Sequence, residues 1–451
     1  MAAIVTSNFR FLNAENFKSD ISANNMYIGI GKTDAWSDST SDVTDSAPPV
    51  PRDTIDEINE AYEQLVGITK VAGGSVSNVV PRHNWTAGST YVPWDSSDSL
   101  IYDRVFYVIT SEFKIYKLVG VSSTATTSTI QPTHTDASPS SDSDGYNWKY
   151  MYTLGTTDVT NFLTTSYMPV KTLDISTTAA SQGLDAFDTA QHGAQDASGA
   201  LAGAQGVQHI KVTEVGSGYT SATIGITGDG TGATATANIV GGQITSITVN
   251  TIGANYTQTD VVITGDGTGA EAVAIIEPGA GHGTDPVKEL GGFFVSLRAV
   301  LDGASGDITV ANDFRQICLI KNPTFSSSLI TADTVQTLKA VSYSGNAPSG
   351  TFVKDEVLTG GTSGAQAFIA YVDTPGGLIY YTQNDKTGYE EFDASETVTS
   401  TGGATVGLIS VSHAIAPSFD DNSGKMIFLE NRDPISRSAS QIEDIKLIIE
   451  F

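Results

Sequence analysis

The heptapeptide Thr227-Gly-Asp-Gly-Thr-Gly-Ala233 recurs unchanged as Thr264–Ala270, and Gly218-Tyr-Thr220 recurs as Asn255-Tyr-Thr257, both at an offset of 37 residues. One offset held across two motifs means one structural unit used twice. Ala235–Val240 and Ile244–Val249 flank Gly241-Gly242, which is a hairpin signal. Each unit is then a few short strands with glycine turns. Such a unit cannot bury a face alone, so the two are expected to stack and share a core. A second echo is looser. Phe352–Thr359 returns as Phe392–Thr399 at an offset of 40, and each copy is followed by a glycine-rich turn and an apolar run, Phe368–Val372 and Val406–Val411. It predicts another small β module over roughly 345–412.

At 451 residues the length prior is about three domains. With 45 glycines and only 16% charged residues, short strands joined by turns are favoured over helices. The net charge of −27 opposes binding to a phosphate backbone or an anionic bilayer, so neither nucleic acid nor membrane is an expected partner. No apolar run approaches the ~18 residues of a membrane span, and the N-terminus carries no signal pattern. The single cysteine, Cys318, lies in the apolar run Ile317–Ile320. It reads as a buried thiol, and the lack of a possible intrachain disulfide fits a reducing cytoplasm.

Local patterns predict a strand near Ile4-Val5, a brief helix capped by Asn13, a strand over Met26–Ile30 and a polar loop over Ser37–Pro51. Thr54-Ile-Asp-Glu57 is a capping box, opening a helix expected to run to Val66 and stop at Gly67, with Ile55, Ile58, Tyr62 and Leu65 on its inner face. Tyr102–Thr110 and Phe113–Val121 read as a hairpin. Tyr146–Leu154 reads as a strand with Trp148, Tyr150 and Tyr152 on one face. The Ala/Gly/Gln/Ser-rich segment up to Gly206 reads as a linker. Met426–Leu429 and Ile445–Phe451 read as buried strands around a proline-containing turn.

The chain offers no constellation for chemistry. Its six histidines show no metal-ligand spacing, so no metal, cofactor or catalytic set is expected and the chain is read as not an enzyme. Gly31-Lys-Thr33 lacks the upstream glycine of a phosphate-binding loop, that position being Met26. Asp142-Ser-Asp-Gly145 and Gly228-Asp-Gly230 lack the closing glutamate of a calcium loop and read as turns.

Seven motifs stand in order along the chain: Ala3–Arg10, Met26–Ser37, Pro48–Asp53, Val79–Trp85, Asp144–Tyr152, Phe314–Pro323 and Met426–Ile435, followed by the closing Phe451. Together they resemble the baseplate wedge protein family of T-even-like contractile-tailed phages, the product of gene eight. The resemblance covers roughly half the chain; about 180–290 and 340–415 depart from it and read as insertions. It implies a mainly β fold, a layered β-sandwich body with a few short helices, carrying inserted small β-repeat modules. The parts are 1–180 (body), 181–206 (linker), 207–285 (tandem repeat module), 286–340 (body), 341–414 (second module) and 415–451 (closing strands). It also implies a structural virion protein of the tail baseplate, assembled in the bacterial cytoplasm, that forms a homodimer and binds other baseplate wedge proteins. Trp36, Arg82, Trp85, Asn431 and Arg432, in matched loops, and the aromatic Trp148 are candidate structural or interface residues. Two rival classes remain: a host-surface adhesin using the β-repeats, and a tail glycan hydrolase, which would need two carboxylates about 5–9.5 Å apart across one cleft.

Overall fold

The computed structural model describes residues 4–37, 42–122, 125–196, 205–302, 312–409, 418–438 and 441–451. His413, the middle of the 181–206 segment, the end of the 341–414 module and part of the Ser37–Pro51 loop lie outside the described residues. The fold is mainly β, as expected, with several antiparallel sheets and few short helices. The chain forms two compact units.

One unit comprises Met1–Glu15, Ser77–Ser296 and Ile448–Phe451. Its four-stranded sheet has the order Tyr107–Ile109, Lys114–Val121, Tyr146–Thr153, Ser140–Ser141. Tyr146, Trp148 and Tyr150 alternate along one face and pack with Tyr91, Tyr116 and Leu118. Tyr152 does not join them. The register shifts between Ile115 and Tyr116, which face Tyr152 and Tyr150, so Met151 is the extra residue of a bulge. The bulge sends Tyr152 into a different cluster, with Ile109, Ile115 and Phe106. Strict alternation predicted one face; one inserted residue divides the aromatic set between two cores.

The 37-residue repeat folds as a six-stranded sheet, in the order Thr259–Gly265, Ala222–Gly228, Thr231–Val240, Gln243–Ala254, Val207–Ser217, Thr268–Ile276. The two end strands also touch, so the sheet curls toward closure. The repeats are interleaved. Thr231–Val240 of the first pairs with Gln243–Ala254 of the second, and Thr268–Ile276 of the second pairs with Val207–Ser217 of the first. Ile247 pairs with Ile210, its own counterpart one repeat away. The motif explains the interleaving. The Asp266 carboxylate accepts the backbone N–H groups of Thr220 at 2.9 Å and Ser221 at 3.0 Å, and the Thr220 hydroxyl. Asp229 does the same for Thr257 at 2.8 Å and Gln258 at 3.0 Å, with the Thr257 hydroxyl. Gly267 and Gly230 make room for the rings. A Cβ on Gly267 would lie 2.4 Å from Tyr219 Cγ, and one on Gly230 would lie 2.4 Å from Tyr256 Cγ. Each heptapeptide therefore holds the Tyr-Thr step of the other repeat, and Tyr219 and Tyr256 bury their rings beside Ile210, Ile244 and Ile247.

The other unit comprises Asn16–Val76 and Leu297–Leu447. Its five-stranded sheet has the order Thr334–Gln336, Leu65–Lys70, Met26–Gly31, Phe314–Lys321, Lys425–Ile435. Tyr27, Leu65, Ile68, Cys318 and Ile320 form its core. The 40-residue echo lies in a second, six-stranded sheet, where Leu358 faces Ser400 and Gly360 faces Val398, a pairing symmetric about the repeat offset. Phe352, Phe392, Leu358 and Val398 are buried in it together.

Several local expectations are corrected. Ile4 and Val5 form no strand and are exposed; the helix starts at Ser7 and runs to Ala23, burying Phe11, Ala14 and Ile21. Thr54 does cap a helix, accepting the Glu57 N–H, but that helix ends at Glu63. Leu65 already pairs with Gly31 in the sheet, so sheet pairing overrides the helical pattern, and Ile55 points to solvent. The 181–206 segment includes a helix, Ala186–Gln195, capped by Asp185, whose inner face is largely polar, with Gln191, His192 and Gln195 buried. The lack of an apolar stripe is why its sequence reads as linker. Lys425–Ile435 and Ile442–Glu450 are strands but only half-buried, because each stands at the edge of its sheet.

Candidate functional site

Three of the six candidate residues come together in the second unit. The Trp36 indole Nε1 donates to the Arg432 carbonyl at 3.0 Å, and the Trp36 N–H donates to Asp45 at 2.8 Å. Arg315 clamps the same Asp45 with two hydrogen bonds of 2.7 and 2.8 Å. Asp45 is thereby held below the usual carboxylate range, its bond from Arg315 outweighing partial burial. Asn431 is held at both ends: its Nδ2 donates to the Pro49 carbonyl at 3.0 Å, and its Oδ1 accepts from Gln316 at 2.9 Å. Trp36, Asp45 and Pro49, all on the connection between Gly31 and Ile55, are thus tied to two strands of the sheet around one cleft.

The cleft has a volume of about 540 Å³, and its walls include Trp36, Glu60, Gln64, Gln316, Asp385 and Asn431. Its charges divide into two sets. Lys32 pairs with Asp34 at 2.7 Å, Lys386 pairs with the same Asp34 at 3.2 Å, and Arg52 pairs with Glu57 at 3.1 Å. Lys32 stands below the usual lysine range because burial outweighs the attraction of Asp34. Asp56 and Asp385 have no ion-pair partner among the described residues. Glu60 takes a hydrogen bond from Gln64 at 2.6 Å, and burial followed by the nearby Asp385 raises its carboxyl. Burial and the combined field of Glu60, Asp385, Glu63 and Asp56 push the Tyr389 hydroxyl up to about 12.

Two neutral groups complete the wall. Gln64 is 3% exposed and Gln316 7%, and the Oε1 of each has no hydrogen-bond partner among the described residues. Their amide nitrogens are already used, by Glu60 and Asn431. An unmade buried acceptor costs about 1–3 kcal/mol, and both oxygens are enclosed by protein, with almost no accessible surface.

The other three candidates lie in the first unit and do not form a cluster with a cleft. Arg82 donates to Asn84 at 2.9 Å and to the Thr164 carbonyl at 2.8 Å, tying two loops. Trp85 donates to Ser128 at 3.1 Å and packs on the aromatic cluster. Trp148 is fully buried, stacked on Tyr146 with ring centres 6.1 Å apart. It is a core residue of the subunit.

The first unit also contains a group that the sequence did not single out. Lys117 and Glu289, both buried, pair at 2.7 Å. Glu289 also accepts the Gly283 N–H at 2.7 Å, and the His282 ring stands 3.6 Å away. Lys117 lies 4.5 Å from the centre of the Trp94 ring. Burial alone would raise the Glu289 carboxyl, but Lys117 and His282 hold it well below the usual range. Burial lowers His282 to about 3, so its imidazole is neutral at ordinary pH. His282 also bonds Gln208, near the start of the repeat sheet. The group therefore pins the chain where it enters and leaves the 37-residue repeats. Its members are 172 residues apart in the case of Lys117 and Glu289, so no local pattern could reveal them.

A family model described as "Bacteriophage T4, Gp8" matches residues 3–106. The protein described as "Baseplate wedge protein gp8" of Enterobacteria phage T4 is 33% identical over 95 residues, which are 20% of this chain and 28% of that protein. The chain thus spans well under a third of the relative it matches. Lys32, Trp36, Glu60 and Gln64 of the cleft fall inside the matched segment, whereas Gln316, Asp385 and Asn431 lie beyond it. Over residues 3–106 the chain is thus similar to the gp8 family of baseplate wedge proteins.

Proposed function

We propose that this chain is a structural subunit of a phage tail baseplate, a dimeric scaffold that binds other wedge proteins and holds them in fixed geometry while the baseplate assembles and rearranges. The match of residues 3–106 to the gp8 family carries the reading. Three structural features support it. The buried ionic group around Glu289 and the Arg315–Asp45 clamp fix loops within each unit. Ile4, Val5, Phe9 and Leu12 present large apolar side chains at the N-terminus, exposed by half or more of their surface. Exposed apolar groups gathered on one short segment suit subunit association. On this reading the modules at 207–285 and 341–414 are insertions in a wedge body, and the protein acts in the virion after assembly in the host cytoplasm.

The test is mass photometry of the purified protein, alone and mixed with the other wedge proteins of its phage. A dimer that enters a larger complex of fixed mass is expected. A protein that stays apart from the wedge set refutes the scaffold reading. Binding of the isolated protein to host-surface glycans, lost on deletion of 207–285, would favour the adhesin reading instead.

A further inference from the structure

Covalent geometry fixes one surface segment before any tertiary contact does. Ala47-Pro-Pro-Val-Pro51 holds three prolines. A proline ring locks its own φ, and it keeps the residue before it extended. Pro48, Pro49 and Pro51 are locked, and Ala47, Pro48 and Val50 each precede a proline, so none of the five residues is free to turn. The conformation this leaves is polyproline II, a helix of about three residues per turn with no internal hydrogen bonds. In the fold, residues 48–54 belong to no helix and no strand.

The segment is presented rather than packed away. Val50 is 83% exposed, and Ile55 beyond it is 80% exposed. Neither the N–H nor the carbonyl of Val50 has a hydrogen-bond partner among the described residues. The segment is also held in place. Thr44 and Ala47 exchange backbone hydrogen bonds of 3.2 and 3.0 Å, Asn431 donates to the Pro49 carbonyl at 3.0 Å, and Arg52 pairs with Glu57 at 3.1 Å. A ridge that is already rigid gives up little conformational freedom on binding. At about three residues per turn, Pro48 and Pro51 fall on one edge of it and Val50 on the next. Proline ridges of this spacing are read by grooves lined with aromatic rings.

We propose that residues 47–52 form a docking ridge that lies in a groove of tyrosine or tryptophan rings on another wedge protein. The rings pack on Pro48, Val50 and Pro51, and their O–H or N–H groups donate to carbonyls that a polyproline II backbone leaves unbonded. A second copy of this chain does not offer the groove. Of its tyrosines and tryptophans, only Tyr389 is exposed among the described residues. The proposal names a surface and a partner chemistry for the wedge scaffold and rests on that reading.

The test separates the two. Full-length protein carrying Val50→p-benzoylphenylalanine is mixed with the other wedge proteins and irradiated, and the crosslinked peptides are read by mass spectrometry. Val50 is exposed enough for the substitution to leave the fold intact. A crosslink to one wedge protein, in a peptide that contains tyrosine or tryptophan, is expected. An assembled complex without a crosslink, a crosslink to a second copy alone, or one to a peptide lacking both residues would overturn the proposal. Val50→Asp and the double variant Pro48→Ala, Pro51→Ala are then titrated onto the crosslinked wedge protein. Each is expected to bind at least tenfold more weakly than wild type, and wild-type affinity in either would overturn the proposal. Wild type that assembles while both variants assemble equally well removes the ridge from the interface and leaves the scaffold standing. Wild type that fails to assemble removes the scaffold and the ridge with it.

Discussion

Reciprocal holding of the two repeats makes a specific energetic prediction. Gly267→Ala places a methyl group 2.4 Å from Tyr219 Cγ and 2.7 Å from the Ser217 carbonyl. Neither can move cheaply, since the ring is buried and the carbonyl belongs to the strand Val207–Ser217. Overpacking of this kind costs about 1–3 kcal/mol. Tyr219→Ala removes a ring that is 5% exposed, and large-to-small changes of aromatic residues cost about 3–5 kcal/mol. In the double variant the ring clash is gone and only the Ser217 clash remains. The two costs should therefore fall short of their sum by on the order of 1–2 kcal/mol. Pairing Gly267→Ala with Tyr256→Ala should give plain addition, because Tyr256 packs on Gly230. Hydrogen exchange read by mass spectrometry on peptides from 207–276 is the suitable assay. It reports local opening in a chain of two units, where a single melting temperature would not. A tenfold loss of protection corresponds to about 1.4 kcal/mol. Coupling of Gly267 to Tyr256 in place of Tyr219, or addition in both pairs, would refute the interleaved assignment.

Three further outcomes are expected. Glu289→Gln leaves Lys117 buried without its counter-charge, which costs about 3–5 kcal/mol; exchange near 277–289 should accelerate, and Lys117→Met in the same chain should restore much of the loss. The Asp229 carboxyl is depressed to about 2 by the Thr257 hydroxyl and the neighbouring N–H groups, and Asp266 lies lower still. Depressed carboxyls stabilise fully above their unfolded pKa of about 3.9 and lose that contribution as pH falls through the folded value, so peptic cleavage within 207–276 should rise between about pH 4 and pH 2, and Asp229→Asn should flatten the rise. Burial pushes the Cys318 thiol up to about 12, so iodoacetamide should leave the native protein unlabelled and label it in denaturant; rapid labelling of native protein would contradict its burial.

What the sequence could reveal follows from the range of the signals. The Thr54 cap, the Gly241-Gly242 hairpin and the two repeats are local or periodic, and all are present in the fold. The pairing of repeats was not legible, because an identical heptapeptide does not say whether it serves its own copy or the other. Helix extent failed where Leu65 and Val66 continued an apolar pattern that sheet pairing then claimed. The bulge at Met151 left no mark, since aromatic residues on both sides of it are buried either way. At the cleft, Trp36, Asn431 and Arg432 were recognised through resemblance to a family. Gln64 and Gln316 were invisible. A neutral amide carries no pattern, and only the fold places Gln316 beside Asn431, 115 residues away.

Exchange of strands between the repeats also limits how this module can change through recombination. Losing one 37-residue copy would not leave a smaller module, because Thr231–Val240 would lose Gln243–Ala254 and Val207–Ser217 would lose Thr268–Ile276. A single copy could complete its sheet only by meeting the same copy on another chain. A deletion of that length would therefore turn an internal symmetry into an intermolecular one, giving a molecule that pairs through this module. By the same logic, a cut at Gly241-Gly242 would leave two fragments that each supply what the other lacks, and they should reassociate when mixed.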